Sequence, residues 1–324
     1  MATTSAYLDA VSRDLWGREV FSFIPDRVLP PPEGAAERGA GPRVMFTGLP
    51  SDFSLAFLLA LLATDVELVG IITSPGAHEA ILGDNALSQI ADHLSIPLLR
   101  LWRINDEHSL LDIARLAPEG VIMASFNQIV RSRVLAAARH GWLNVHPSLL
   151  PAYRGPEPVY WAIADGASTS GITLHRAVPK VDGGPVLAQA AVPVRPDDTS
   201  GSLTRRLTET GVRLLPGAVT ALLADTPGDQ PDLDNGSYRT SIGHRPLHRA
   251  SSVEEAERMV RAGFPNMVAW AEVDGKPVYV LGAEVGRCEA GQGLHYPDGQ
   301  LRLVETSVTC ACHHDELECA HLER

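Results

Sequence analysis

The feature that most constrains the fold is an alternation running from Arg43 to His146. Short apolar runs, "RVMFTGL" (43–49), "VELVGIITS" (66–74), "IPLLRL" (96–101), "GVIMASF" (120–126) and "GWLNVH" (141–146), read as strands. Between them lie "DFSLAFLLALLAT" (52–64), "GDNALSQIADHLS" (83–95), "HSLLDIARLA" (108–117) and "IVRSRVLAAAR" (129–139), all of helical character. Strand and helix in alternation predict an α/β, Rossmann-like domain with a mostly parallel sheet. Such sheets bind ligands beyond the carboxyl ends of their strands, at the switch point in strand order. Two further strands, "GITLHRAV" (171–178) and "PVLAQAAVPV" (185–194), and a long helix over 197–224 extend the pattern.

The ends read differently. Residues 1–42 show little periodicity and finish in "PDRVLPPPEGAAERGAGP", an N-terminal extension and linker. The loop "DTPGDQPDLDNGS" (225–237) marks a boundary, giving a catalytic domain over 43–230. Beyond it come a Ser-x-x-Glu capping box opening a helix at 251–263, then hairpin signals at Asp274-Gly275 and "PDGQ". These predict a small mostly-β, OB-like subdomain over 231–309 and leave 310–324 as a tail.

Several function classes lose their physical requirements. The glycine after the first strand opens "GLPSDF", not a G-x-G-x-x-G turn, and there is no P-loop, so no glycine cradle for a dinucleotide or nucleoside triphosphate is present. The longest apolar stretch, Phe53 to Ala63, is too short to span a bilayer, and the N-terminus lacks the pattern of a secretory signal. A cytoplasmic protein without membrane partners is expected. Net charge is −12 and no basic run exceeds Arg205-Arg206, which argues against a nucleic-acid partner.

"NVHPSLLPAYRGPEPVYWAI" (144–163) carries the chemistry. Asn144 and His146 are two apart in an extended segment and so share a face, while Leu143 and Val145 point the other way. An amide and an imidazole side by side suit a developing oxyanion. Pro147 ends the strand, and Pro151, Pro156 and Pro158 stiffen the loop beyond it. An Asn-x-His alone is usually an ordinary hydrogen-bonded pair. The pair needs a carboxylate to handle protons, and Asp182 in "KVDGGPV" is the best candidate, with two glycines after it that permit close backbone approach.

At these residues the chain resembles the folate-dependent formyltransferases: the methionyl-tRNA, sugar, hydroxyornithine and glycinamide ribonucleotide enzymes. Four segments carry the likeness: "SFNQIVRSRVL" (125–135), 144–163, "GITLHRAVPKVDGGPVLAQ" (171–189) and "PDDTSGSLTRRL" (196–207). The likeness covers residues 43–225 and, more weakly, 240–285. It implies a triad of Asn144, His146 and Asp182 and a 10-formyltetrahydrofolate co-substrate. The pterin would be held near Met123, Ser125, Phe126 and Asn127 and by the loop through Pro179 and Val181. Ser148, Tyr153, Arg154, His175 and Arg176 would line the acceptor pocket.

The tRNA enzymes of this family carry a basic loop after the second strand. The matching segment here, Thr73–Asn85, has no Lys or Arg, and phosphate binding needs cations. The expected acceptor is therefore a small-molecule amine: an amino acid, hydroxylamine or amino sugar of a biosynthetic pathway. A methionyl-tRNA formyltransferase, a 10-formyltetrahydrofolate hydrolase and an inactive metal-binding scaffold are the alternatives, and a homodimer stays an open option. Apart from the family, "CACHHDELECAH" crowds thiolates and imidazoles at a density that can hold zinc: Cys310, Cys312, Cys319 and His321, with His313 or His314 as substitutes.

Overall fold

A computed structural model of the chain describes residues 41–74, 85–241, 245–288 and 293–307. Residues 1–40, most of the Thr73–Asn85 segment and the whole Cys/His tail lie outside them. The described residues divide into two compact units that interleave along the chain. One takes those up to Pro151, Ile172–Ala190 and Thr208–Gly236; the other takes Ala152–Gly171, Ala191–Leu207 and those from Ser237 onward.

The first unit is built on strands β1 (Arg43–Gly48), β2 (Glu67–Thr73), β3 (Leu98–Arg100), β4 (Gly120–Ala124) and β5 (Trp142–His146), which with β6 (Thr169–Arg176) and β7 (Val186–Pro193) make a seven-stranded sheet in the order β3-β2-β1-β4-β5-β6-β7. Pairing is parallel from β3 through β5, and β5 pairs antiparallel with β6. The order reverses between β1 and β4, so the carboxyl ends of β1, β4 and β5 bound the switch point.

Helix α1 (Asp52–Leu62) is buried on almost every side, which explains its continuous apolar sequence. Ser51 caps it by accepting from the Ser54 amide at 3.1 Å. The one hydroxyl inside the apolar run, Ser54, donates to the carbonyl of Ala124 at 2.7 Å and pins the helix start to the end of β4. Amphipathic helices α2 (Asn85–Leu94) and α3 (Glu107–Arg115) follow. Ile113 of α3 joins Met45, Ile72, Val121, Val134 and Trp142 in a core on one face of the sheet.

The helix expected over 129–139 is only the short α4 (Ser132–Leu135). Its ladder gives way to three-residue turns, Ala137 N–H to Val134 C=O and Gly141 N–H to Ala138 C=O, which feed β5 through Gly141 at φ +80°. A further helix, α5 (Pro158–Ala164), stands where the prolines read as a stiffened loop. Pro158 sits in its first turn, where no amide hydrogen is needed. Helix α6 (Ser200–Leu223) matches the long helix expected from sequence.

In the second unit α7 (Val253–Gly263) lies on a sheet of β8 (Ala269–Val273), β9 (Lys276–Val285), β10 (Gly293–Tyr296) and β11 (Gly299–Ser307), ordered β10-β11-β9-β8 and antiparallel throughout. Val253, Ala256, Met259 and Val260 of α7 pack on Ala271, Val280 and Leu301. The expected small mostly-β subdomain is present. Among the described residues no helix is long and apolar enough to cross a membrane.

Candidate active site

The antiparallel register of β5 and β6 sets the geometry. Asn144 faces His175 across the ladder and His146 faces Thr173. On the other side Asn144 pairs with Met123 of β4. A loop after β6 then returns Asp182, held at φ +48° in the left-handed region, to the same place. Such backbone outliers persist only where the surroundings over-determine them.

The four polar side chains meet. Asn144 Nδ2 donates to Asp182 Oδ1 at 3.1 Å and lies 3.1 Å from His175 Nε2. Asp182 Oδ2 is 3.6 Å from His146 Nδ1, just beyond hydrogen-bond length, and its Oδ1 is 3.5 Å from His175 Nε2. The His146 and His175 rings are almost fully buried and Asp182 is one-tenth exposed. The three residues expected to form the triad therefore converge.

Hydrogen-bond logic fixes the protons. His175 Nδ1 lies 3.0 Å from the carbonyl oxygen of Arg176, which can only accept, so Nδ1 carries the hydrogen. In the neutral ring Nε2 is then an acceptor and takes one Asn144 amide hydrogen, while the other goes to Asp182. The amide orientation is fixed as well: an oxygen in place of Nδ2 would face the Asp182 carboxylate with no hydrogen between them. Both Asn144 hydrogens are thus engaged, and an oxyanion must draw one of them away to be stabilised there.

The other expected residues occupy different places. His175 is 1 % exposed, and its ring braces Asn144. Ser148, expected to contact the acceptor, is 0 % exposed. Arg176 spends its guanidinium on the carbonyls of His140, Leu222 and Thr226, tying down the end of α6. Tyr153 and Arg154 belong to the second unit, in a segment laid against Ser237–Arg239: the Arg154 N–H donates to Ser237 O at 2.9 Å and the Arg239 N–H to Arg154 O at 2.8 Å. Burial raises the Tyr153 phenol, with the Asp165 carboxylate adding to it. Arg154 Nε is buried without a hydrogen-bond partner.

The residues expected to hold the pterin divide in kind. Met123, Ser125, Phe126 and Val181 are half-buried, while Asn127 and Pro179 are exposed. Ser125 turns the chain at φ +62° directly after β4. Half-buried apolar side chains beside Asn144 suit a flat heterocycle whose reactive end reaches the amide. Gln128, which the sequence did not single out, braces this loop. Its Nε2 donates to Leu101 O at 2.7 Å and Ser74 Oγ at 2.9 Å, and its Oε1 accepts from the Ile104 amide at 2.8 Å. One side chain so ties the loop after β4 to the ends of β2 and β3. Among the described residues no cluster of His, Cys, Asp and Glu has metal-holding geometry; the Cys/His tail is not among them.

The formyl transferase family model matches residues 53–219. The methionyl-tRNA formyltransferase of Acidothermus cellulolyticus is 32% identical over 276 residues, covering 82% of this chain and 83% of that one. The Bacillus cereus protein of the same name is 35% identical over 248 residues, covering 75% and 79%. Among solved structures, a sugar N-formyltransferase from Shewanella aligns over 76% of this chain and 99% of its own with a TM-score of 0.59 at 22% identity. An N-formyltransferase from Helicobacter canadensis, in complex with folinic acid and dTDP-3-aminofucose, gives 0.62 at 16% identity over 82% and 100%. At those identities the two structures speak to the fold alone.

Proposed function

We propose, from the premise that this chain belongs to the folate-dependent formyltransferase family, that it moves the formyl group of 10-formyltetrahydrofolate onto the amine of a small molecule. The observation carrying the chemistry is the convergence of Asn144, His146 and Asp182, with His175 behind them, at the carboxyl end of β5. The co-substrate supplies an activated formyl carbonyl. Asn144 and His146 donate hydrogen bonds as negative charge develops on its oxygen. Asp182 orients His146 and takes the proton released by the attacking amine, directly or through water. The bond to the new nitrogen forms, the bond to the folate nitrogen breaks, and that nitrogen recovers a proton. Holding both reactants in one site removes the entropic cost of a bimolecular encounter.

The small-molecule acceptor is supported by the net charge of −12 and by the lack of cations over Thr73–Asn85. Methionyl-tRNA is the second reading, favoured by relatives of that name at 32–35% identity. One experiment separates them. The enzyme is incubated with 10-formyltetrahydrofolate and a panel of amino acids, hydroxylamines, nucleotide amino sugars and methionyl initiator tRNA, and products are weighed for one added formyl group. Formylation of the tRNA alone overturns the small-molecule reading. Formate release without any acceptor points to hydrolysis, and no turnover at all refutes the enzyme. A zinc ion on Cys310, Cys312, Cys319 and His321 is a separate proposal from sequence. Metal analysis of the full chain and of one ending at residue 309 decides it.

A further inference from the structure

We infer that Thr173 and Gln189 form a clamp that positions His146 for transfer; this rests on His146 acting as proposed above. The strand β5 ends at His146, and the chain turns at once, with the Ser148 amide donating to His146 O at 2.9 Å. Whatever fixes this turn fixes the imidazole.

Thr173 sits directly opposite His146 in the β5–β6 register and is fully buried. Its hydroxyl has one hydrogen and two lone pairs, and all three are used. Ser148 O, 2.6 Å away, can only accept, so it takes the hydrogen. The lone pairs accept from the Leu150 amide at 3.2 Å and from Gln189 Nε2 at 2.7 Å. The second Gln189 hydrogen goes to Leu150 O at 3.0 Å. The Gln189 amide cannot be reversed, because its oxygen would then face the carbonyl of Leu150. Two side chains from β6 and β7 thus hold three backbone groups in the four residues after His146.

Gln189 itself is solvent-exposed. Its loss lets water reach Leu150 O, so little global stability is at stake. What changes is the freedom of the turn. His146 Nδ1 stands 3.6 Å from Asp182 Oδ2, a gap that must close to a hydrogen bond in the loaded enzyme. Slack in the turn widens the range of that distance, and misplacement near 1 Å costs about a hundredfold in rate.

The test is steady-state kinetics on the full chain, with 10-formyltetrahydrofolate and whichever member of the acceptor panel gains a formyl group, for Gln189→Ala, Gln189→Glu, Thr173→Val and Thr173→Ser, alongside thermal melting. The expected result is a fall in kcat of about tenfold to a hundredfold for Gln189→Ala and Gln189→Glu, with both KM values and the melting temperature nearly unchanged. Thr173→Val lowers kcat likewise, and Thr173→Ser, which keeps the hydroxyl, restores it. The Gln189 variants keep the proposal testable if Thr173→Val fails to fold. A kcat within twofold of wild type in Gln189→Ala overturns the clamp, as does a loss that tracks a lowered melting temperature or a rise in KM alone. An inactive wild-type enzyme refutes the functional reading instead, so the two failures are distinguishable.

Discussion

Two adjacent glycines after Asp182 have unequal burdens, and replacing each by alanine separates them. A Cβ on Gly184 would overlap the carbonyl oxygen of Arg176 and lie 2.9 Å from its carbonyl carbon. Both are backbone atoms, fixed by the Arg176 amide donating to Pro185 O at 2.9 Å, so neither can turn aside. Against an optimal carbon contact of about 3.5–4.0 Å, relief needs the loop to move by roughly an ångström. A Cβ on Gly183 meets only side-chain atoms, Leu233 Cδ1 and Lys180 Cγ at 3.2 Å and Lys180 Cβ at 3.4 Å, where a shift of a few tenths of an ångström gives relief. Asp182 lies two residues before Gly184, so the displacement reaches the carboxylate. Gly184→Ala should cost about 1–3 kcal/mol of stability and about a hundredfold in kcat. Gly183→Ala should stay within about threefold of wild type by the same geometric criterion. Initial rates at saturating formyl-folate and thermal melts measure both. An active Gly184→Ala, or a Gly183→Ala equally impaired, would refute the idea that backbone contact places Asp182.

Three further outcomes are expected from the structure. His146→Ala should lose about 10²–10⁴-fold in transfer while its circular dichroism stays that of wild type; full activity sinks the catalytic assignment. Gln128→Ala frees the loop after β4 and should raise KM for the formyl-folate several-fold with kcat little changed; titration of the folate by fluorescence quenching checks it. Helix α7 is capped by Ser252 accepting from the Glu255 amide at 3.0 Å, and the Ser251 hydroxyl and amide hydrogen bonds hold the Glu255 carboxyl below its ordinary value of 4.5. A depressed carboxylate stabilises the fold above its unfolded value and loses that contribution as pH falls through the folded one. Ser252→Ala removes the cap and should cost about 1 kcal/mol. Glu255→Gln should narrow the stability difference between pH 6 and pH 3.

The parts of this protein readable from sequence are those set by local pattern. The strands at 43–48, 67–73, 120–124 and 142–146 announce themselves as apolar runs because both their faces are covered. The Ser252 cap of α7 is legible because it joins residues three apart. Where a local rule has two solutions, local pattern does not choose between them. Prolines stiffen a loop or open a helix, and at Pro158 the second holds. The turns after Leu135 are three-residue closures that an Ala-rich run does not advertise.

The site shows the same division in finer grain. Period two puts Asn144 and His146 on one face, and that much is local. What distinguishes the two is the strand opposite: His175 stands across from Asn144 and Thr173 from His146, so one is braced by an imidazole and the other by a hydroxyl clamp. Shifting the β5–β6 register by one residue would put Leu174 opposite Asn144 and Ile172 opposite His146, or, in the other direction, Arg176 and Leu174. The register is a non-local quantity that no segment of the sequence encodes alone, yet it sets His175 Nε2 3.1 Å from the Asn144 amide nitrogen. An amide with both hydrogens engaged is a donor only when a stronger acceptor arrives, and a developing oxyanion is such an acceptor where a neutral carbonyl is not. In the proposed transfer, an oxyanion that draws the Asn144 hydrogen away from neutral His175 gains a bond that the ground-state carbonyl does not, and a difference of that kind is what catalysis depends on.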